Sequence, residues 1–254
     1  MSDIRFYLDN NINLNMETKV NIESIIRVFN SLLSQINCPI NEDNTYLLLS
    51  NIAISEEEVE NINYDSKNNK IVVPDAKKYN YAIHEDRLNH EFIKTMLDVI
   101  TSIHNEDGTI SKGVTFDVGD QTYGNVINEV ISDRIIELTF GNPDYIVDAD
   151  ATMMGFKDGL FRKLEEVFGT NKLLTYYLNG RGIDFYADLS QKFGSEERAL
   201  NLLSTMEKAN TIEPSDMGKA LDLRKCEFDI DSEIEILKNM SKNNKFTTVA
   251  WNNT

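Results

Sequence analysis

A chain of 254 residues, 41% hydrophobic and 26% charged, has the apolar content for a sizeable core, which excludes wholesale disorder. Its formal net charge of -17 repels nucleic-acid phosphates and anionic lipid heads, so neither nucleic acid nor a membrane is an expected partner, and basic partners are favoured. No stretch approaches the ~20 apolar residues of a membrane span and no cationic-then-apolar leader follows Met1, so the expected location is cytoplasmic.

The order of elements starts with an amphipathic helix from Glu17 to Ile36. Ile22, Ile25, Ile26, Phe29, Leu33 and Ile36 repeat at three and four residues, and Cys38-Pro39 ends the run. Thr45 to Ile54 is short and apolar, which predicts a buried strand. Ser55-Glu56-Glu57-Glu58 then reads as a helix start, a capping residue followed by acids. Ile62-Asn63-Tyr64 and Lys70-Ile71-Val72-Val73 flank the turn-rich Asp65 to Asn69, as in a hairpin.

After a linker over Asp75 to Ala82, a helix is predicted from about Asp86 to Ile103, with Leu88, Phe92, Met96, Val99, Ile100 and Ile103 on its core face. His104 to Gln121 is a long loop punctuated by Gly and Asp, either functional or holding a hairpin around Asp107-Gly108. A second helix follows from about Thr122 to Phe140, stopped by Gly141-Asn142-Pro143. Its core side is expected to hold Val126, Ile127, Val130, Ile131 and Leu138. Further helices are predicted over about 149–168, 172–178, 184–193, 195–208 and 231–240. Ser241 to Thr254 reads as a loose tail or edge segment whose largest apolar group is Trp251. The two cysteines, Cys38 and Cys226, are far apart and outside any CxxC spacing, which predicts two reduced, buried thiols. Asn, Lys and Ile are abundant, as in proteins of AT-rich bacterial genomes.

Chemistry concentrates in the two central helices. A zinc hydrolase of the HExxH type needs two imidazoles one helical turn apart, with the Glu after the first acting as general base. His90-Glu91 supplies one ligand and the base, but Lys94 stands where the second imidazole belongs. A lone His-Glu pair in an acid-rich chain carries little, and His84-Glu85 is a second one. The other helix adds Asn128-Glu129-Val130-Ile131-Ser132-Asp133, with Gly124 four residues ahead. Glu129 and Asp133 lie at i and i+4 on one face, so one helix can present two carboxylates to one imidazole and its metal. Two such carboxylates together are costly without a cation near them.

The N-E-x-x-S-D pattern, read with His90-Glu91, resembles the gluzincins, the thermolysin-like zinc metallopeptidases, over residues 62–141. The resemblance implies a zincin-like α+β fold, predominantly helical. A small mixed-sheet N-terminal subdomain (1–121) would pack on a helical C-terminal one (122–254) with a cleft between them. It also implies that His90 and Glu129 bind zinc, that Glu91 is the base, and that Asp133 orients His90 beside Asn128. A downstream tyrosine would serve as transition-state donor, with Tyr123, Tyr176, Tyr177 and Tyr186 the candidates and Tyr123 the one assigned.

Departures from the pattern set the function expected. A protonated Lys94 has no lone pair for a metal. His84 lies six residues before His90, off its helix face, and His104 lies fourteen after, ~21 Å along a helix axis. The leading expectation is therefore a pseudopeptidase. In it Lys94 replaces the metal's charge beside Glu129 and Asp133, and the old cleft binds peptide or protein. Two alternatives stay open: an active zinc metallopeptidase completed by an unidentified ligand, and a structural or interaction protein whose cleft does nothing.

Other features read blandly. Met153-Met154 and Tyr176-Tyr177 are expected to pack the core. Gly108, Gly113 and Gly119 form no phosphate-binding pattern. Asn179-Gly180-Arg181-Gly182 is a turn signal, with Arg181 a minor candidate for a substrate carboxylate.

Overall fold

The computed structural model describes residues 4–75, 81–105, 107–140, 151–212 and 215–251, with side chains placed throughout except over 81–89, 151–154 and 241–251. It is α+β, mostly helical with a small mixed sheet. Ten helices and seven short strands are described: α1 (Ile4–Asn10), α2 (Met16–Gln35), α3 (Glu42–Asn51), β1 (Ala53–Glu57), β2 (Asn63–Asp65), β3 (Lys70–Pro74), α4 (Tyr81–Thr101), β4 (Ser102–His104), β5 (Ile110–Lys112), β6 (Phe116–Val118), β7 (Gln121–Tyr123), α5 (Asn125–Phe140), α6 (Ala151–Phe168), α7 (Thr170–Leu178), α8 (Gly182–Phe193), α9 (Glu196–Asn210) and α10 (Met217–Trp251). None of the described helices is long and apolar enough to cross a membrane.

The chain divides into two compact units that interleave along the sequence. One holds 1–113, 132–147 and 177–180, and the other 114–131, 148–176 and 181–254. In the first, α2 forms as its periodicity requires. Asn15 caps it by accepting from the Thr18 amide, and Ile22, Ile26, Phe29 and Leu33 are buried. Each such side chain contributes about 1.5–3 kcal/mol by leaving water. The sheet runs β1-β3-β2, with β1 parallel and β2 antiparallel to β3, so the expected hairpin is present.

Several local expectations fail in this unit. Of the strand expected over Thr45 to Ile54, only Ala53 and Ile54 are strand, the start of β1, and Thr45 to Asn51 is helix. The Asn41 side chain accepts from the Asn44 amide, Glu42 and Asp43 favour the positive helix start, and α3 buries Thr45, Leu48 and Leu49 while leaving Leu47 62% exposed. Ser55 to Glu57 is strand rather than helix start, because it pairs in register with Val72 to Pro74 and Lys70 reaches Glu57 at 2.5 Å. Leu138, expected in the core, is 49% exposed near the end of α5.

Asparagine does much of the tying. Asn11 is fully buried and donates to the carbonyls of Leu49 and Ile52, closing the end of α3. Asn69, in the left-handed region at φ 48°, donates to the Leu48 carbonyl and accepts from the Tyr64 hydroxyl. The helix expected from Asp86 begins at Tyr81 and stops at Thr101, so Ile103 belongs to β4, which pairs with β5 around Asp107-Gly108.

The second unit opens with the hairpin β6–β7, turned at Gly119 (φ 63°), so the stretch from His104 to Gln121 folds into most of two hairpins. Its helices α8 and α9 are cleanly bounded: Gly194 ends α8 in the left-handed conformation and Ser195 caps α9 through the Arg198 amide. Helix α10 runs from Met217 to Trp251, so the expected loose tail is helical to 251. Cys38 and Cys226 are both buried and unbridged, as expected. The linker residues 76–80 and the stop at Gly141-Asn142-Pro143 lie outside the described residues, as do the side chains of His84, Leu88, Met153, Met154 and Trp251.

Candidate functional site

In the first unit α4 presents His90 and Lys94 one turn apart on one face with Glu91 beside them, and its last turns are anchored by fully buried Met96, Leu97, Val99 and Ile100. Lys94 Nζ donates to Asp133 Oδ1 at 3.1 Å, a pair 39 residues apart in sequence. The two side chains are 35% and 42% exposed, so the pair is half in water and worth about 0–1 kcal/mol. Its importance is positional. A fixed ammonium stands one turn from His90 and holds the carboxylate that the resemblance assigns to that imidazole.

His90 is half-buried. Burial lowers its imidazole below the usual value near 6.5, Asp133 pulls it back up, and Lys94 lowers it further. The unfolded chain therefore takes up the proton more readily than the folded one. The stability contributed by neutral His90 is complete above about pH 6.5 and is lost as pH falls through the lowered folded value. Denaturation followed from pH 7.5 to pH 5 is expected to show stability falling with acidification. His90→Gln is expected to flatten that slope, and an unchanged slope in the variant would remove His90 as its source.

Glu91, the candidate base, accepts from the Ile62 amide through Oε2 at 3.3 Å. With its nitrogen turned toward acceptors, the Asn61 side chain donates to Glu91 Oε1 at 3.1 Å and to the Glu60 carbonyl at 3.3 Å. The carboxylate thus fastens α4 to the strand entering the sheet. Ser132, from the N-E-x-x-S-D pattern, is buried, and it and Thr101 hydrogen-bond the hydroxyl of fully buried Tyr177. That burial pushes the Tyr177 hydroxyl well above the usual phenol range, so it keeps its proton.

In the second unit the start of α5 is built on Gly124, at φ 91°. Glu207 Oε1, from α9, accepts from the Asn125 amide at 2.7 Å and so caps the helix from outside. Burial raises the Glu207 carboxyl while the amides of Asn125, Val126 and Gly124 pull it down. Asn128 Oδ1 accepts from the Val114 amide at 2.7 Å and pins the chain ahead of β6. Glu129 accepts from Lys157 Nζ at 2.7 Å and from Asn210 Nδ2 at 3.4 Å, and the ion pair is 25% and 36% exposed on its two sides. Tyr123 is buried, stacked on Phe116, and its hydroxyl donates to Gln121 at 2.6 Å. Tyr186 also stacks on Phe116, and Tyr176 lies beside Asp188 and Lys172.

Each of the two carboxylates singled out from the spacing on α5 therefore has a lysine. Lys94 was visible as the substituted ligand, but Lys157, Asn210, Glu207 and Asn61 were not. The one signal for Lys157 was indirect: a half-buried Glu129 calls for a cation somewhere in the chain. Among the described residues no group of three His, Cys, Asp or Glu side chains converges as a metal site would require. The chain matches no family model, no curated protein and no solved structure.

Proposed function

We propose that this chain is a metallopeptidase-like protein of gluzincin type that has lost zinc hydrolysis and retains recognition of peptide or protein. The observation that carries the reading is the Lys94–Asp133 ion pair. It puts an ammonium in place of an imidazole lone pair and occupies the carboxylate that would orient His90. Two further contacts support it. Glu129 is engaged by Lys157, and Glu91 is engaged by the Ile62 amide, so the base and the third ligand both have partners of their own.

The donor set does not fit zinc as it stands. A catalytic zinc takes three protein donors with lone pairs, and the resemblance leaves only His90 and Glu129. No hydrolytic step is therefore assigned to Glu91. The zincin-like fold itself belongs to the same proposal and rests on the order of sheet, His-Glu helix and glutamate helix.

The test is elemental analysis of purified protein with a zinc titration, beside an assay of hydrolysis of an unfolded protein substrate. Expected are less than stoichiometric zinc, affinity no tighter than micromolar, and no cleavage with or without added metal. Nanomolar stoichiometric zinc, with cleavage abolished by Glu91→Gln, would replace this reading by that of a working peptidase.

A further inference from the structure

Helix α10 carries two apolar faces. One is buried: Leu223, Cys226, Ile230, Ile234 and Leu237 recur at three and four residues and pack where α10 meets α6, α8 and α9. On the opposite side Met217, Leu221 and Phe228 are 82%, 60% and 70% exposed. Their spacing of four and seven keeps them on one line. A scattered exposed apolar residue needs no explanation, but these three form one aligned stripe opposite the core face.

The charges beside this line are ordered as well. Arg224 and Lys225 flank it before Phe228, and Asp231 and Glu235 continue it after. All four are exposed. The stripe is thus basic in its first half and acidic in its second, on a protein whose net charge of -17 makes most of its surface repel a second copy.

We propose that this stripe is where two copies of the chain associate, α10 against α10, antiparallel about a two-fold axis near Phe228. An isologous contact needs a self-complementary patch, and an antiparallel pairing makes this one so. Phe228 meets its symmetry mate, while Leu221 lies against the methylene stem of Glu235 and Met217 against Asn239 of the other copy. Lys225 of each copy lies opposite Asp231 of the other, and Arg224 lies within reach of Glu235. A parallel pairing would set like charge on like. Asp231 also meets Lys163 and Glu235 meets Lys238 within the chain, but the two carboxylates stay 52% and 61% exposed and can accept a second cation.

The three apolar residues expose roughly 400 Å² per copy, taking ~200 Å² for each whole side chain. With the four charged flanks, two copies bury on the order of 1,200 Å², the lower edge of a specific interface. That size fits a reversible dimer of micromolar affinity.

Sedimentation velocity of the full chain from about 1 to about 200 µM, bracketing that affinity, tests the assignment. Expected is a concentration-dependent monomer–dimer equilibrium. Phe228→Asp, which touches no ion pair, is expected to be monomeric throughout with unchanged circular dichroism and melting. R224E/K225E and D231K/E235K are each expected to be monomeric alone and to form a dimer when mixed. A wild type that stays monomeric to the top of the range, a dimer that survives Phe228→Asp, or a mixture that stays monomeric overturns the proposal.

Discussion

Gly124→Ala is expected to destabilise the protein by about 3 kcal/mol or more. A Cβ at 124 would lie 2.3 Å from the Val114 carbonyl oxygen, 3.0 Å from its carbon and 3.2 Å from the Thr115 Cα. All three are backbone atoms, so no side chain can turn aside. At φ +91° any residue with a Cβ is strained before the clash is counted. Nor can the Val114–Thr115 segment retreat. The Asn128 side chain holds the Val114 amide, and Gly182 approaches from its own helix, where a Cβ would lie 2.1 Å from the Thr115 carbonyl oxygen.

Gly182→Ala is therefore expected to cost a similar amount, and the two together less than their sum, because they press on one segment. Gly155→Ala supplies the control. It lies within α6 with nothing inside 4 Å of its would-be Cβ, and it is expected to stabilise by about 0.5–1 kcal/mol. Urea denaturation of the three single variants and the double measures all of this. A loss below about 1 kcal/mol at Gly124 would mean that the Val114 carbonyl is not held where it stands.

The same residues show what could be read from the chain. Periodicity and punctuation found α2, α8, α9 and the β2–β3 hairpin, because each is decided locally, by caps such as Asn15 and Ser195 or by the turn at Asp65 to Asn69. The errors fell where a distant partner or a cap outweighed a local preference. Leu47-Leu48-Leu49 suits a buried strand or a helix equally, and the Asn41 cap decided for helix. Ser55 to Glu57 has the residues of a helix start, yet β3 claims it as a strand.

The site divides along the same line. The i, i+4 relation of Glu129 and Asp133 is local and was legible. Their cations stand 28 residues after Glu129 and 39 before Asp133, on other helices, and no spacing rule reaches so far. Gly124 is legible as part of a motif, but its use, letting Val114 approach the start of α5, is a tertiary fact.

Lys94→His is expected to raise zinc affinity by on the order of 100-fold or more, since a first ligand is worth at least as much as the hydrogen-bond partners behind one. Two changes coincide at that position. A donor appears one turn from His90 on α4, and the ammonium that holds Asp133 at 3.1 Å is removed. Asp133 then becomes available to accept from an imidazole, which is what a zinc-bound histidine needs at its far nitrogen.

Lys157 presents a smaller obstacle. Its pair with Glu129 is 25% and 36% exposed, worth about 0–1 kcal/mol, against apparent binding energies of 10–16 kcal/mol for structural zinc sites. If Glu129 is the third ligand, adding Lys157→Met to Lys94→His should tighten zinc by no more than about five-fold, the equivalent of that pair. Glu129→Gln in the same background should then lose most of the gain. Isothermal titration of wild type, Lys94→His and the two double variants separates these effects. Equal, weak zinc binding by wild type and Lys94→His would count against position 94 as the lost ligand. A gain at Lys94→His that ignores Glu129→Gln would retain the His90 half of the site and dismiss the glutamate.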